Sequence, residues 1–472
     1  MEGFERIGRI QPVASAEVAQ SRIGLGFEKL DRSAFDPEKA YDKVAATGVK
    51  WVRIQSGWAR TERQKGVYDF AWLDDVVDNL RMRGLRPWIC LCYGNGLYDA
   101  RAAQVYGAVG CPPIFTQEAR EAWQRYVRAL AAHFKGRVSD YEVWNEPDGQ
   151  WCWKSGVSGR EYGQFLCMTA EAIRESDEEA RIIGGAICLR TLSFLDDALR
   201  TGAGRLIDAV SFHEYTADEG LVFERVRSLR ALCRRYNPRI EIIQGESGSQ
   251  SRRDGAGALR GGAWTEDRQA RQLLRHTVAD LLCDVRFSSY FSTLDMVEAL
   301  NGSVGDKASY LDYAYFGILR AEFDENGVAT GSYAPKPSYY ALRNLCAVFA
   351  GEFDVCDLPV LAQPEESPLV FGRDCADKSI ISGGFMRRNG AFLYAYWNAT
   401  DLMTTKYEST YTVEVSALPG GFALIDPMEG GIYRIGEENM VCTGEQSWKL
   451  LHLPITDYPL LLISTQQPFC AL

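Results

Sequence analysis

Short apolar runs alternate with longer amphipathic stretches over the first 350 residues of the chain. Trp51–Gln55 is one such run, and Trp72–Leu80 carries its apolar residues at helical spacing. This alternation predicts parallel strands joined by helical crossovers. Eight predicted strands follow one another in this way: Ile23–Phe27, Trp51–Gln55, Pro87–Cys92, Tyr141–Trp144, Arg181–Ala186, Ile207–Phe212, Glu241–Gly245 and Arg286–Phe291. Eight strand–helix units predict a TIM (β/α)8 barrel.

The predicted crossover helices are read from the same periodicity. The first begins near Asp36, a good N-cap residue, followed by Pro37, which suits a first helical turn. The others are Trp72–Leu80, Arg120–Phe134, Arg160–Glu175, a helix through Arg230, Glu266–Leu282 and Ser338–Val348. No helix is assigned after the fifth strand.

The pattern changes after about residue 351. Phe392–Trp397, Tyr411–Val415 and Leu460–Ile463 read as short strands with no helical period between them. Strands of this kind predict a β-sandwich. We therefore expect an α/β chain of two domains, with a catalytic barrel over residues 14–350 and a smaller accessory β-sandwich over residues 351–472. Residues 1–13 are a candidate for a further strand of the sandwich.

Composition narrows the classes of function. The 472 residues carry a formal net charge of -11 and no run of Lys or Arg, which argues against a nucleic acid partner. The thirteen cysteines form no disulfide framework and no CxxC pair, so reduced thiols are expected. Neither a signal peptide nor an uncharged run of membrane length, roughly 18 residues, is recognised. We expect a cytoplasmic protein with no membrane partner, and the sequence implies no particular oligomeric state.

Two carboxylates carry the candidate chemistry. Functional groups of such a barrel gather at the carboxyl ends of its strands. Glu146 follows the fourth predicted strand and Glu246 follows the seventh. Two carboxylates in one pocket can perform acid/base and nucleophilic work on an acetal, as retaining glycosidases do. The apolar neighbours Trp144 and Pro147 would keep Glu146 protonated, which suits a general acid.

A nucleophile at Glu246 must stay ionised, and so it requires cationic and hydroxyl neighbours. Arg53 and Tyr215 are candidates, although Arg53 could equally be a structural ion-pair partner. His213 could donate a hydrogen bond to substrate or to either carboxylate, or it could be a core histidine. Asn145 both donates and accepts hydrogen bonds, which suits a sugar hydroxyl.

Further substrate-binding candidates lie near the strand ends or in the loops that follow them. They are Gln55, Asn95, Trp151, Trp153 and Trp264. Trp151 and Trp153 could stack on a sugar face or could equally pack over the barrel.

Several segments resemble the clan A glycoside hydrolases and are most similar to glycoside hydrolase family 39. They are 141–147 (YEVWNEP), 211–215 (SFHEY), 66–74 (GVYDFAWLD) and 84–88 (GLRPW). The resemblance implies that Glu146 is the acid/base and Glu246 the nucleophile. It also implies that Asn145, His213 and Tyr215 line the subsite of the cleaved sugar.

The chain departs from the family pattern at two places. Gln55 stands where family members often have His, and Ser247 follows the nucleophile position where they often have Trp. The sugar specificity of named members is therefore not carried over to this chain.

Other chemistries find little support. The four histidines form neither HxH nor HExxH, so no metal site is expected. No GxSxG elbow and no complete dinucleotide loop is present, and no cofactor is expected. The sequence predicts an exo-acting retaining β-glycosidase that takes a carbohydrate substrate. The alternatives are an endo-acting polysaccharide hydrolase and a catalytically inactive carbohydrate-binding barrel.

Overall fold

A computed structural model supplies the structure of the chain. It describes residues 1, 3–103, 109–154, 156–298, 312–365, 369–370, 373–374, 380–403, 408–416 and 421–464. Among these residues, no helix combines the length and the apolar character that crossing a bilayer requires.

A closed barrel of eight parallel strands forms the first part of the chain, after a short strand β1 (Arg6–Arg9). The barrel strands are β2 (Ile23–Gly26), β3 (Trp51–Gln55), β4 (Arg86–Leu91), β5 (Asp140–Val143), β6 (Arg181–Ile187), β7 (Ala209–His213), β8 (Glu241–Ser247) and β9 (Ser288–Tyr290). Each overlaps one of the eight predicted strands, so the predicted (β/α)8 barrel is confirmed.

The helices pack around the barrel. They are α1 (Tyr41–Ala45), α2 (Trp58–Thr61), α3 (Ala71–Met82), α4 (Ala100–Ala103), α5 (Gln117–Phe134), α6 (Gly159–Ser176), α7 (Leu192–Arg200), α8 (Gly220–Arg234), α9 (Glu266–Leu282) and α10 (Pro337–Val348). Short 3-10 turns are formed by Leu30–Arg32, Pro37–Lys39, Ala203–Arg205 and Glu437–Asn439. Asp36 caps the turn at Pro37 by accepting from the backbone N–H of Glu38, as the sequence predicts.

Two features of the barrel were not anticipated. Helix α7 fills the crossover after the fifth barrel strand, and it buries Phe194, Leu195, Ala198 and Leu199. Between the eighth barrel strand and α10 the chain forms β10 (Met296–Val297), β11 (Tyr313–Ala314), β12 (Leu319–Phe323) and β13 (Ala329–Pro335). β10 pairs with β11 and β12 with β13, both antiparallel.

Antiparallel sheets follow the barrel. The strands are β14 (Phe353–Cys356), β15 (Val360–Pro364), β16 (Leu369–Val370), β17 (Arg373–Asp374), β18 (Ile380–Arg387), β19 (Phe392–Asn398), β20 (Glu408–Ser416), β21 (Phe422–Asp426), β22 (Gly431–Arg434), β23 (Met440–Gly444), β24 (Ser447–Thr456) and β25 (Leu460–Ser464). A seven-stranded sheet has the order β1-β22-β21-β25-β19-β18-β14, and a four-stranded sheet has the order β15-β20-β24-β23. The N-terminal strand β1 therefore pairs with β22 of the C-terminal region.

The seven-stranded sheet is covered on both faces. Alternate residues of β19 divide between two apolar clusters: Leu393 and Ala395 join the core that includes the barrel, while Tyr394 and Tyr396 pack with the four-stranded sheet. This alternation is the side-chain period of a strand with two buried faces. Polar contacts join the two regions as well, because Trp397 donates to Glu219 at 2.6 Å. The exact division at residue 350 stays a prediction.

The amino-terminal end of the barrel interior is an apolar plug. Its members are Trp51, Trp88, Ile183, Ala209, Ile243 and Phe287. The rings of Trp51 and Phe287 stack at 4.6 Å between centroids. The plug closes the amino-terminal end of the interior, and the charged groups described below lie toward the carboxyl end, as expected for this fold.

Candidate active site

A cavity of about 580 Å³ opens at the carboxyl ends of the barrel strands. Its volume lies within the range of small-molecule sites, about 300–1,000 Å³. The lining residues follow all eight strands: Glu28, Lys29, Arg32, Gln55, Tyr93, Asn145, Glu146, Trp151, Cys152, Cys188, Leu189, Glu214, Tyr215, Glu246, Gly257, Ala258, Leu259, Arg260, Phe291, Glu298 and Phe316. Both predicted carboxylates are among them.

Glu146 is presented by a constrained turn after β5. Trp144 and Glu146 have φ angles of 70° and 46°, a left-handed conformation that costs energy for residues other than glycine. The turn is held by hydrogen bonds from the Trp144 N–H to the Leu91 carbonyl and from the Glu146 N–H to the Ala186 carbonyl, both 3.1 Å. These bonds to the two neighbouring strands fix the direction of the Glu146 side chain.

Glu246 lies near the end of β8, directly opposite His213 of β7 in a register interrupted by a bulge. Gly245 allows the two strands to come this close. A Cβ at that position would lie 2.2 Å from Oγ of Ser211 and 3.2 Å from Nε2 of His213. A side chain at residue 245 would therefore collide with the Ser211 hydroxyl and crowd the imidazole.

His213 stands between the two carboxylates. Its Nδ1 lies 3.0 Å from Oε1 of Glu146 and 3.6 Å from Oε2 of Glu246. A carboxylate oxygen of Glu146 and one of Glu246 lie within 4.8 Å of each other. Among the residues that the structure describes, these three are the group whose atoms could together hold a metal ion. The predicted pair therefore meets across one pocket.

The surroundings push the two carboxyl pKa values in opposite directions. Burial raises the pKa of Glu146 above its ordinary value, and the charge of Glu246 adds to this against the lowering by His213 and Trp151. Burial also acts to raise the pKa of Glu246, but His213 and Arg53 outweigh it with help from Tyr215 and Lys29, so the pKa is lowered. Glu146 is thus suited to hold a proton and Glu246 to remain ionised.

His213 is buried, which by itself lowers its pKa. The charge of Glu246 and the hydrogen bond to Glu146 more than compensate, and the net effect raises the pKa of His213. The structure therefore places an imidazole within hydrogen-bond distance of Glu146 and close to Glu246, rather than a histidine that only fills the core.

Arg53 organises the floor of the site. Its Nε donates to Glu142 at 2.8 Å and its Nη2 donates to Oδ1 of Asn145 at 2.8 Å, while its Nη1 contacts Glu246. The guanidinium is fully buried, and its pKa stays well above the ordinary value because burial is outweighed by Glu142 and the other acids. Arg53 is both a structural ion-pair partner and a neighbour of the nucleophile candidate, so the two alternatives weighed from the sequence are compatible.

Asn145 and Tyr215 also lie in the cavity. The Tyr215 hydroxyl donates to Oε2 of Glu246 at 2.7 Å. The side-chain oxygen of Asn145 accepts a hydrogen bond from Arg53. Its Nδ2 donates to the sulfur of Cys152 at 3.4 Å. Each of these groups is held by contacts within the site before any substrate enters.

Gln55 lines the cavity, but its hydrogen bonds go to the protein. Its Oε1 accepts from the Lys29 N–H at 3.1 Å and from Arg32 at 3.2 Å, and its Nε2 lies 3.3 Å from the Tyr93 hydroxyl. Gln55 therefore fixes the wall after β2.

Five predicted substrate contacts lie outside the cavity lining: Arg53 and His213, which are fully buried beside the two carboxylates, and three residues of the loops. Asn95 donates to the Glu62 carbonyl at 2.9 Å and accepts from the Leu97 N–H, so it orders the loop after β4. Trp153 is buried against Trp144 and other aromatic rings. Trp264 donates to the Leu259 carbonyl at 2.9 Å and so supports a loop that does reach the cavity. The structure assigns all three to packing and loop support instead.

Trp151 is the predicted tryptophan that does line the cavity. Its indole N–H donates to Oε2 of Glu146, and 39% of the residue remains exposed. It therefore stands at the mouth, on the side of the acid/base candidate.

The residues that follow the first barrel strand were not predicted as part of the site. Glu28 and Lys29 follow β2 and both line the cavity. Burial, with the charge of Glu246, raises the pKa of Glu28 to about 8, although Arg53 opposes this. Lys29 donates to the Val297 carbonyl at 2.9 Å and lies 3.4 Å from Glu298. The segment Phe27-Glu28-Lys29 directly after an apolar run was the available signal.

Part of the chain matches a known family of proteins in sequence. The model of "Glycosyl hydrolases family 39" matches residues 36–228. A beta-xylosidase of Geobacillus stearothermophilus is 28% identical over 165 residues. That alignment covers 32% of this chain and 32% of the relative, so the match spans about a third of the relative's length.

Solved structures agree over a longer span. A family 39 glycoside hydrolase from Bacteroides cellulosilyticus WH2 matches 94% of this chain and 81% of its own, with a TM-score of 0.64 and 16% identity. A monomeric beta-xylosidase from Caulobacter crescentus matches 98% of both chains, with a TM-score of 0.59 and 16% identity. At such identity these likenesses concern the fold. The chain is thus similar to the glycosyl hydrolases of family 39, in sequence over residues 36–228 and in fold over nearly its whole length, as the resemblance predicted.

Proposed function

We propose that the protein is a retaining β-glycosidase in which Glu246 is the nucleophile and Glu146 the acid/base. The observation that carries the proposal is the approach of the two carboxylates, within 4.8 Å, with pKa values shifted in opposite directions. Retaining enzymes hold their two carboxyl groups about 5–5.5 Å apart, whereas inverting enzymes need about 6.5–9.5 Å to admit a water. The short spacing supports retention.

In the first step, a carboxylate oxygen of Glu246 forms a bond to the anomeric carbon. The glycosidic carbon–oxygen bond breaks, and the leaving oxygen takes the proton from Glu146. In the second step, Glu146, now ionised, removes a proton from water as the water oxygen attacks the anomeric carbon and Glu246 departs. Asn145, His213 and Tyr215 would position the sugar and the two acids. No cofactor enters either step.

Exo action is part of the proposal. Residues after all eight barrel strands line the cavity, from Glu28 after the first to Phe291 after the eighth. Walls on every side favour a pocket that takes the end of a chain over a cleft that runs past a polymer. Xylose is the first glycone to test, because two of the similar proteins bear the name beta-xylosidase. A cytoplasmic location stays a prediction from the sequence.

The test is a panel of 4-nitrophenyl β-glycosides followed by proton NMR of the first product. Hydrolysis that releases the β-anomer first supports the proposal. Release of the α-anomer first would mean inversion and would contradict the assigned mechanism. Sugar binding without turnover of any donor would instead favour a carbohydrate-binding barrel, and rapid loss of polymer viscosity with little free monosaccharide would favour endo action.

A further inference from the structure

The cavity changes character between its floor and its mouth. At the floor, Arg53 and Tyr215 both donate hydrogen bonds to Glu246. The mouth beside Glu146 is formed by Trp151, Cys188 and Leu189. Since Glu146 would protonate the leaving oxygen, the group that departs must lie on this side of the cavity.

The apolar side chains at the mouth are exposed yet firmly held. Leu189 is 43% exposed and Trp151 is 39% exposed. The Asp148 carboxylate accepts from the backbone N–H of Leu189 at 2.7 Å and from that of Cys188 at 3.0 Å. These bonds fix the segment after β6, so Leu189 is presented to the cavity by a defined backbone rather than by a mobile loop.

Gly149 leaves room for the ring of Trp151. A Cβ on Gly149 would lie 2.5 Å from the indole ring, so only glycine permits this placement. The indole N–H is committed to Glu146. The N–H is therefore unavailable to a ligand, and the rest of the ring is carbon.

Several polar groups of this side already bond to other described residues, although Oε2 of Glu214 has no hydrogen-bond partner among them. Both oxygens of Asp148 serve the backbone of residues 188 and 189, and Glu214 pairs with Arg190 at 2.6 Å. Across the mouth, the lining residues Gly257, Ala258 and Leu259 carry no polar side chain, and the exposed Arg260 follows them. A second sugar seated on Trp151, Cys188 and Leu189 would place its hydroxyl groups against carbon and sulfur, which disfavours its binding.

We infer that the leaving-group side of the pocket binds an apolar, aromatic aglycone in preference to a second sugar. The inference rests on the proposed glycosidase function, and it names the class of substrate as glycosides of aromatic or other apolar alcohols. Such a ring would stack on Trp151 and contact Leu189, which removes apolar surface from water.

The experiment compares leaving groups that are alike in chemistry but differ in apolar surface. For each of several sugars, the methyl β-glycoside and the 2-phenylethyl β-glycoside are assayed. Both release a primary alcohol, so the two substrates differ mainly in the apolar surface of the leaving group. Xylobiose is assayed beside the two xylosides as the substrate whose leaving group is a second sugar. We expect kcat/KM to be roughly 10-fold or more higher for the 2-phenylethyl member, the scale at which apolar pockets discriminate. Xylobiose should fall below the 2-phenylethyl xyloside.

The variant Leu189→Asn sharpens the comparison. We expect it to reduce the 2-phenylethyl to methyl ratio by about threefold, since one apolar contact is lost at an exposed site. Leu361→Asn is the matched control, because Leu361 is 53% exposed on β15 and does not line the cavity. It should leave the ratio unchanged.

The outcomes separate this inference from the proposed function. Turnover with equal rates for both members of each pair, or faster turnover of xylobiose, would overturn the inference and leave the glycosidase standing. Absence of turnover for every pair and for the 4-nitrophenyl glycosides would remove the proposed function, and the inference with it.

Discussion

The two carboxylates sit in contrasting surroundings a few ångströms apart. Glu146 stands on a strained turn, between a buried tryptophan and the indole of Trp151, with one contact to His213. Glu246 receives Arg53 and Tyr215 directly and shares the charge of His213. The same residue type is therefore prepared for two roles, and the difference lies in the neighbours rather than in the glutamates.

Removing Glu246 should have the largest effect. In Glu246→Ala, kcat should fall roughly 10⁴-fold or more, because the covalent step has no other nucleophile. Azide should restore turnover of an activated aryl β-glycoside and give the α-glycosyl azide, which NMR identifies. Unchanged turnover, or a β-azide, would assign the nucleophile elsewhere.

Removing Glu146 should depend on the leaving group. Glu146→Ala should lose about 10²–10⁴-fold on an alkyl β-glycoside, the contribution of a general acid, and much less on a 2,4-dinitrophenyl glycoside. The measurement is the kcat/KM of both substrates. Equal losses on the two would argue against the acid role, and azide rescue here should give the β-glycosyl azide.

Arg53→Met should lower stability as well as activity. The change leaves Glu142 and Glu246 buried without their cation, and breaking such a pair costs about 3–5 kcal/mol. The free energy of unfolding, measured by denaturant titration, gives this loss. The matched control is Arg320→Met, whose partner Glu266 lies at the surface and whose loss should cost about 1 kcal/mol or less. Similar losses for the two variants would contradict the organising role of Arg53.

Tyr215→Phe tests the ionised state of Glu246. The Tyr215 hydroxyl lowers the pKa of Glu246, so its removal should raise that pKa. Because Glu246 must be ionised to attack, the acid limb of the kcat/KM profile should move to higher pH. We expect a loss of about 10-fold at neutral pH, the scale of one hydrogen bond to a charged group. Tyr236→Phe, which loses a bond to Asp196 far from the site, should leave the profile in place.

Trp151→Phe should have the smallest effect, and this effect should appear on the basic limb of the pH profile. The indole N–H lowers the pKa of Glu146, and without it that pKa should rise. The basic limb should then move to higher pH, with a change of about two- to threefold in kcat near neutral pH. Trp264→Phe serves as control, since Trp264 bonds a loop carbonyl and not Glu146. A shift of the acid limb instead would contradict the assignment.

Much of the fold could be predicted because barrel strands buried on both faces produce apolar runs in the sequence. Trp51–Gln55 and α9 (Glu266–Leu282) were predicted with their observed bounds. Helix α7 was missed because its nine residues give only about two turns of periodicity. The β12–β13 hairpin was missed because its strands, such as Leu319–Phe323, are only partly buried and carry charged residues.

Site residues could be predicted where the position of the backbone alone brings them to the cavity. They could not be predicted where the direction of the side chain decides whether the residue reaches the cavity. Glu146 and Glu246 follow from their places at strand ends. Asn95 and Trp153 occupy similar places in the sequence, yet one orders its own loop and the other packs inward. Which way a loop side chain turns depends on partners far along the chain, and a single sequence does not reveal them.

The most direct test of the central claim is to trap the glycosyl-enzyme. A 2-deoxy-2-fluoro β-glycoside of the preferred sugar, with a good leaving group, should inactivate the protein, and peptide mass spectrometry should find one added sugar on Glu246. A label on Glu146, Glu28 or any other residue, or rapid turnover to the α-anomer with no label, would contradict the account.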